Sequence, residues 1–342
     1  MESSSPTSDV SEVLQRIAQL EEKYAGMGQD MRAYLEGLYY SNGLTYWDYI
    51  HLDSLLGLQT PRTPLHDEVI FITYHQITEL MFKLVKLELE ALTEDRGAES
   101  EFLQLSFWRR RMSRAVNYFR HLSNSFDIML SGLDPDEMRK FRMALLPASG
   151  FQSAQYRHIE IMSTALENLV RGDRPEDESA SIEDLYAGMY WKQGGIDLET
   201  KQKTLTLRDF ERKYDEPLIH LLHKYQTRNL YYLYSQAPDA VREDAALREL
   251  LRSYDLHVNV FWKLSHLAAA SRHLVSGGAD IEATGGTNWR TFLPPRFQRV
   301  MFFPSLWSAQ EQEEWGKAAV MKLFQEQVAR VWHSPTSSTS PS

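Results

Sequence analysis

The chain has 342 residues, of which 43% are hydrophobic and 12% aromatic, and its formal net charge at pH 7 is −10. A chain of this length and composition can bury a large core and is typical of a globular protein. The acidic balance lacks the positive surface that nucleic-acid binding requires. The absence of cysteine excludes disulfides, iron–sulfur clusters and thiolate ligands, so any metal must be held by histidine, by carboxylate or in a prosthetic group.

Both ends of the sequence are rich in Ser, Thr and Pro, and residues 1–10 and 333–342 are therefore predicted to be disordered tails. The N-terminus has no basic segment followed by an apolar stretch. No apolar run approaches the length of a membrane span. These features favour a cytoplasmic protein.

Between the tails, hydrophobic residues recur at helical spacing and alternating runs of β-branched residues are scarce. The sequence therefore predicts an all-α fold, with an N-terminal helical arm over residues 11–43 and a helical domain over residues 44–332. In the domain, Asp134 before Pro135 predicts a helix start, and the Gly- and Pro-rich stretch before Arg296 predicts a long binding loop or lid. The predicted helices of the domain cover residues 66–94, 99–130, 135–146, 151–171, 207–235, 239–276 and 309–332.

The helix predicted over residues 66–94 carries the first candidate site residue, His75. On a helical wheel, His75 shares a face with Phe71 and Phe82, beside one narrow charged stripe, and the rest of the helix is mostly apolar. This position allows the imidazole to lie at the edge of a cavity. It also suits a half-solvated histidine at the boundary of the core, hydrogen-bonded to a neighbour, and this segment alone favours that simpler interpretation.

A second candidate, His266, lies on a helical face with Trp262 one turn before it and Ala269 and Ala270 one turn after it. Small residues at that level suit a flat macrocycle whose iron is bound by a neutral imidazole, as in haem proteins. A histidine in a helix that packs tightly through its alanines explains the pattern equally well. The sequence contains no HExxH zinc pair, no DxDxDG calcium loop and no Glu-x-x-His pair of a di-iron site.

A third candidate group surrounds a predicted break in the helices. Met138 and Arg142 share a face at a spacing of four residues, and Pro147 interrupts the chain before a new helix capped near Ser149. An arginine at a helix end can bind a carboxylate with two parallel hydrogen bonds. A surface salt bridge is the commoner role of an arginine.

Six segments and the FR pair Phe141-Arg142 together resemble the tryptophan 2,3-dioxygenase family of haem oxygenases. They occur in family order between about residues 44 and 307, and two of them, HDEVIFITYHQITEL and GFQSAQYR, are long and specific. The others are LTYWDYIHLDSLL, WKLSH, ATGG and FFPSLW. The resemblance implies a helical-bundle haem domain and a homotetramer whose neighbouring subunits share each active site.

The resemblance also assigns roles to individual residues. It implies that His266 binds the iron of haem b, with Trp262 as a cofactor contact, and that Phe71 and His75 lie over the substrate, the imidazole facing the indole N–H. Further predicted substrate contacts are the carboxylate-binding Arg142, the distal-pocket Ser149, the loop residue Thr284, Met138, and the partner-supplied Tyr46, Tyr49 and Ile50.

The implied reaction inserts both atoms of O2 across the indole C2=C3 bond of L-tryptophan and yields N-formylkynurenine. Three departures from the family pattern lie around the substrate: Met138 replaces an aromatic residue, TGGTNW replaces TGGSSG after a longer spacer, and Trp47-Asp48 replaces small residues. They predict a β- or ring-methylated tryptophan as substrate, or insertion of one oxygen atom only. The alternative is a non-catalytic haem sensor of O2 or an indole amino acid. Arg142, His75 and Thr284 favour the enzyme, because a sensor needs no substrate clamp.

Overall fold

The computed structural model describes residues 6–94, 105–170, 181–197, 199–276, 279–280 and 294–321. Within these residues the fold is all-α, as predicted, apart from one antiparallel pair of two-residue strands, β1 (Val275–Ser276) and β2 (Ala279–Asp280). Across the same ranges, no helix is both long enough and apolar enough to cross a bilayer. The chain divides into two compact units, Met1–Gln59 and Thr60–Ser342.

The first unit extends past the predicted arm of residues 11–43 and takes in the short aromatic segment that follows it. Its helices are α1 (Pro6–Gly26), α2 (Met31–Tyr40), α3 (Tyr46–Tyr49) and α4 (Leu52–Leu56). α1 begins at Pro6, so the helical arm starts five residues before the predicted residue 11, and the disorder of the N-terminal tail stays a prediction. A proline at the first position of a helix sacrifices no hydrogen bond, so it can start α1. Residues 1–5 lie outside the described part.

The second unit contains the remaining helices. They are α5 (Asp67–Thr93), α6 (Leu105–Ser125), α7 (Asp127–Ser131), α8 (Pro135–Phe141), α9 (Ala154–Ser163), α10 (Ile182–Ala187), α11 (Tyr190–Gln193), α12 (Leu205–Tyr225), α13 (Leu230–Gln236), α14 (Asp239–Arg242), α15 (Ala245–Leu256), α16 (Trp262–His273), α17 (Pro295–Gln298) and α18 (Ala309–Glu313). Short 3₁₀ turns cover Arg142–Leu145, Gly150–Gln152, Leu166–Leu169 and Pro304–Leu306, and a π-helical turn covers His257–Phe261.

The core of the second unit forms where α5 and α15 pack against α6, and α9 packs against α5. Large side chains fill these contacts, and Trp108, Phe119 and Tyr254 are almost completely buried. Burial of an aromatic side chain removes a large apolar area from water, which stabilises the packed helices. The long helix α5 therefore has a fixed position, and one of its faces is available to shape a site.

Several predicted helices are interrupted. The helix predicted over 99–130 stops at Ser125, the one over 135–146 ends in a 3₁₀ turn, the one over 151–171 is α-helical only from Ala154 to Ser163, and the one over 207–235 breaks before Asn229. The segment 239–276 contains α14, α15, the π-helical turn and α16 before it ends in β1. Of the segment 309–332, residues 309–313 and 317–321 are helical, and the rest lies outside the described ranges, as does the predicted tail 333–342.

Candidate active site

His75 lies on α5 with its ring orientation fixed by the backbone. Its Nδ1 is 2.7 Å from the carbonyl oxygen of Phe71, one turn earlier. Because a carbonyl can only accept, the imidazole donates from Nδ1, and its Nε2 is left as an acceptor when the ring is neutral. Burial lowers the pKa of His75, an effect that the hydrogen bond to Phe71 and the nearby Glu79 oppose. The neutral ring is therefore the prevailing form near pH 7.

Aromatic rings surround this imidazole. The Phe71 ring centroid is 4.1 Å from that of His75, and Tyr74 meets the same imidazole edge-on at 5.6 Å. On its other side, Phe71 contacts Phe141 at the end of α8, with ring centroids 5.7 Å apart. Phe71 and His75, both predicted from the sequence, thus belong to one flat-walled recess. Sequence reasoning assigned no role to Phe141, although it directly precedes Arg142.

The start of α5 is tied to the start of α8 by reciprocal hydrogen bonds. The Asp67 carboxylate accepts from the backbone N–H of Asp134 at 2.6 Å, and the Glu137 carboxylate accepts from the backbone N–H of Asp67 at 3.1 Å. Each carboxylate caps the N-terminus of the opposite helix, where the helix dipole favours negative charge. The HDE part of the specific motif therefore positions α8 against α5. The acidic residues at both helix starts were the signal for this contact.

Met138 and Arg142 occupy the end of α8 and the 3₁₀ turn that follows it. Met138 is 7% exposed and belongs to a small cluster that includes Phe71 and Phe141. Arg142 is 5% exposed, so a surface salt bridge does not describe it. A buried guanidinium beside an aromatic recess can bind a substrate carboxylate by charge-assisted hydrogen bonds.

Ser149 precedes the 3₁₀ turn Gly150–Gln152 rather than an α-helix. Its hydroxyl accepts from the Phe151 N–H at 3.3 Å, and its own N–H donates to the Gln152 side chain at 3.3 Å. Thr206 holds this segment to α12 by donating to the Pro147 carbonyl at 3.0 Å. The α-helix itself begins at Ala154 with Ser153 as its cap. Contact of Ser149 with a ligand stays a prediction.

His266 lies on α16 with an accessible ring in an enclosed position. The residue is exposed, yet burial, with a smaller contribution from the charge of His75, lowers the pKa of its imidazole to about 4. A side chain on the wall of a deep recess combines these properties, because solvent-sized molecules reach it while protein surrounds it. His266 is therefore neutral at pH 7, as a metal ligand must be.

Phe126, in the break between α6 and α7, packs directly against this imidazole. The two rings stack with centroids 6.1 Å apart and an interplanar angle of 24°. Phe126 also contacts Trp262 at 4.8 Å and Tyr74 at 5.6 Å. It thereby links the wall that carries His266 to the wall that carries His75. The sequence pattern gave no sign of it, because residue 126 fell inside a predicted helix.

The sequence suggested open space beside the two alanines that follow His266. The structure shows none there within the described residues. Ala269 and Ala270 are buried, and Ala269 packs in the cluster that contains Met138 and Phe141. Their small size lets α8 approach α16 closely. On this face of α16, the residue that solvent can reach is His266 and not the alanines. Trp262 lies between Phe126 and Phe82 and so supports the wall.

These residues fit a haem bound through one imidazole. His266 is accessible and neutral, its surroundings are aromatic, and Phe126 and Tyr74 link it to the second imidazole on α5. Within the described ranges, no three His, Asp or Glu side chains come together as an alternative metal site.

The remaining predicted contacts are not tested by this geometry. Tyr46 and Tyr49 lie on α3 in the first compact unit, where they are 70% and 74% exposed, and Ile50 ends that helix. Their predicted contribution to a neighbouring subunit stays a prediction. Thr284 lies outside the described residues.

Comparison with known proteins agrees with the motifs. The sequence model of the family described as Tryptophan 2,3-dioxygenase matches residues 36–174, which include Phe71, His75 and Arg142. The tryptophan 2,3-dioxygenase of Ruegeria sp. (strain TM1040) is 28% identical over 282 residues, covering 79% of this chain and 92% of that protein. The one of Polaromonas naphthalenivorans is 38% identical over 121 residues, covering 35% and 41%. The one of Shewanella woodyi is 28% identical over 284 residues, covering 78% and 90%. The chain is therefore similar to tryptophan 2,3-dioxygenases, at 28% to 38% identity to these three proteins, and the family model covers the segment that carries Phe71, His75 and Arg142.

Proposed function

We propose that this protein is a haem-dependent oxygenase that uses O2 to oxidise the indole C2=C3 bond of tryptophan or of a β- or ring-methylated tryptophan. One observation carries the proposal. The accessible imidazole of His266 on α16 stacks on Phe126, Phe126 contacts Tyr74, and Tyr74 contacts the imidazole of His75 on α5, so that one set of aromatic rings links the two histidines.

In this proposal, His266 holds the iron of haem b. Burial keeps its imidazole unprotonated, so no proton competes with the metal near pH 7. When bound, ferrous haem supplies the O2 activation that amino-acid side chains lack. Stacking with Phe126 restricts rotation of the imidazole.

His75 orients the substrate through Nε2. Since its Nδ1 proton is donated to the Phe71 carbonyl, Nε2 can accept a hydrogen bond from the indole N–H. Phe71 and Phe141 provide flat apolar surfaces for the indole ring, and their packing excludes water. The indole is then held in one orientation rather than many, which lowers the entropic part of the reaction barrier.

Arg142 binds the substrate carboxylate. It is buried, and it lies at the end of α8, which packs against both α5 and α16. A charge-assisted contact in such a partly dry position is stronger than one at the surface. This contact selects amino acids over simple indoles.

Met138 is the residue that we expect to alter the choice of substrate. It is buried with Phe71 and Phe141. Methionine has flexible torsions and adapts to irregular shapes, whereas an aromatic ring at this position would form a rigid wall. A softer wall could admit one extra methyl group, which supports a methylated tryptophan as substrate.

The shared active site is the second part of the proposal. Tyr46, Tyr49 and the neighbouring Trp47 are exposed on a four-residue helix. Exposed clusters of large aromatic residues are typical of interfaces. A second copy of this chain in a homotetramer would cover them and place them beside its substrate. Light scattering of the purified protein tests this, and a monomeric mass would contradict it.

Product analysis tests the reaction. Ferrous haem-loaded protein is incubated in air with tryptophan and with methylated tryptophans, and the products are analysed by mass spectrometry. A gain of two oxygen atoms supports dioxygenation, and a gain of one supports hydroxylation of the indole. If haem binds and no tryptophan in the panel gains oxygen, the protein is a sensor and the proposal is wrong.

A further inference from the structure

The FFPSLW motif is anchored to one buried carboxylate. Asp255, at the end of α15, is 0% exposed. Its Oδ1 accepts from the backbone N–H of Phe302 at 2.9 Å, and its Oδ2 accepts from the backbone N–H of Phe303 at 3.1 Å and from the Trp307 indole at 3.0 Å. Burial of a carboxylate is costly unless donors surround it, and here the motif supplies three of them.

The fourth donor to this carboxylate comes from the π-helical turn His257–Phe261. The Asn259 side-chain nitrogen donates to Asp255 Oδ1 at 2.9 Å, and Asn259 is 1% exposed. The turn lies directly between α15 and α16. Single π turns are uncommon within helices and often occur at functional sites. A side-chain hydrogen bond joins the middle residue of this turn, Asn259, to the preceding α-helix.

The π turn determines which face of α16 points toward α6. In an uninterrupted α-helix, at about 100° per residue, His266 would lie about 120° around the axis from Tyr254. A π turn absorbs one extra residue, which reduces that angle to about 20°. The observed contacts agree. Tyr254 packs against Phe119 of α6, and His266 stacks on Phe126, just past the end of the same helix.

We infer that Asp255 and Asn259 are positioning residues that hold the π turn and thereby direct His266 into the aromatic recess. The inference rests on the proposed role of His266 as the haem ligand. This inference gives the FFPSLW motif a function. The three donors of the motif fix the Asp255 carboxylate, which accepts the hydrogen bond of Asn259. Loss of the Asn259 hydrogen bond should let the turn relax toward α-helix and rotate His266 away from the recess.

Asn259→Leu removes the donor and keeps a branched side chain with the same number of heavy atoms. We expect the resonance Raman signature of the iron–histidine bond in the ferrous protein to change and haem transfer to apomyoglobin to accelerate about 10- to 100-fold, the usual range for groups that orient a metal ligand. Thr164→Val is the matched control, because it removes a buried 2.7 Å hydrogen bond to the Phe302 carbonyl in the same motif without touching Asp255. It should lower the melting temperature of the apoprotein and leave the iron–histidine signature unchanged.

A deletion provides the second test. Removing His257, the partly exposed first residue of the π turn, takes out the extra residue and leaves an ordinary α-helix with His266 on the original face. Haem ligation should survive this deletion, and Asn259→Leu should then cause no further change in the signature. This test also decides the matter if Asn259→Leu alone does not fold.

Two results would overturn the inference: a wild-type signature in Asn259→Leu at a melting temperature lowered as in Thr164→Val, or a folded deletion variant without histidine ligation. Haem binding by the wild type and its dependence on His266 are measured first. Failure there would contradict the proposed function, whereas failure only in the variants would contradict the role of Asp255 and Asn259.

Discussion

Two ionisable residues one turn apart on α16 lie in different environments. On the His266 side, the imidazole is accessible in an aromatic recess, and burial keeps its pKa near 4. On the Lys263 side, the residue is 5% exposed and lies among charged and phenolic groups. Arg157 donates to Glu160 at 2.6 Å, Tyr190 donates to the same carboxylate, and Lys263 lies 3.5 Å from the Tyr190 hydroxyl.

This difference separates the His266 side, which is available for a ligand, from the Lys263 side, which has a structural role. Burial lowers the pKa of Lys263 to about 7, even though Glu160 raises it, and the partners of Lys263 are other buried side chains of the same cluster. A buried network of this kind fixes helices but offers no position for a ligand. The imidazole of His266 is instead accessible to solvent. Variants on the two sides should therefore affect different measurements.

The largest effect is expected for His266→Ala. The variant should lose haem, so that its Soret absorbance after reconstitution and desalting falls to that of the apoprotein. The melting temperature of the apoprotein should change little, because the residue is accessible to solvent. His220→Ala, an exposed histidine on α12, is the control. Normal haem content in His266→Ala would disprove the assignment of the ligand.

The structural side should respond in stability instead. Glu160→Gln leaves Arg157 without its buried counterion, and breaking such a pair costs about 3–5 kcal/mol of unfolding free energy. Denaturant unfolding of the apoprotein measures this. The exposed Glu167→Gln is the control and should be near neutral. If Glu160→Gln kept its stability but lost the iron–histidine signature, the division between the two sides would fail.

Arg142→Ala should raise KM for the amino acid about 30- to 1000-fold with normal haem content, since a charge-assisted contact in a partly dry site contributes about 2–4 kcal/mol. Arg139→Ala is the control. Arg139 lies on the same helix but pairs with Asp136, whose side chain is largely exposed. Tryptamine, which lacks the carboxylate, should be insensitive to Arg142→Ala. An equal loss with tryptamine would show that Arg142 does not bind the carboxylate.

The smallest effect concerns Met138→Phe. The ratio of kcat/KM for β-methyltryptophan to kcat/KM for tryptophan should fall about 10- to 200-fold, which corresponds to about 1–3 kcal/mol of discrimination. The reason is that the phenyl ring fills the space available to the extra methyl group. Steady-state kinetics with both substrates in both proteins measures the ratio. An unchanged ratio would move the origin of specificity to the TGGTNW loop.

The sequence alone located the helices whose burial pattern is regular. It predicted residues 66–94 as one helix, and α5 covers Asp67–Thr93. It also placed a helix start at Asp134, whose side chain accepts from the N–H groups of Asp136 and Glu137. Periodicity and capping are local properties, so they can be read without the fold.

The helix breaks could not be obtained in this way. The break at Phe126 contains neither Gly nor Pro, and it forms where the ring packs between Tyr74, Trp262 and His266. The π turn before α16 depends on a carboxylate that the distant FFPSLW motif helps to hold. Both depend on contacts between residues far apart in the chain.

For the candidate site, the sequence determined the residue types and their motifs: Phe71 with His75, Met138 with Arg142, and Trp262 with His266. The tertiary structure decided which nitrogen of His75 is free to accept, that His266 is accessible yet enclosed, and that Arg142 is buried rather than at the surface. These properties depend on desolvation and on neighbours supplied by other helices. A pattern of residues along one chain segment specifies neither the desolvation of a side chain nor its neighbours from other helices.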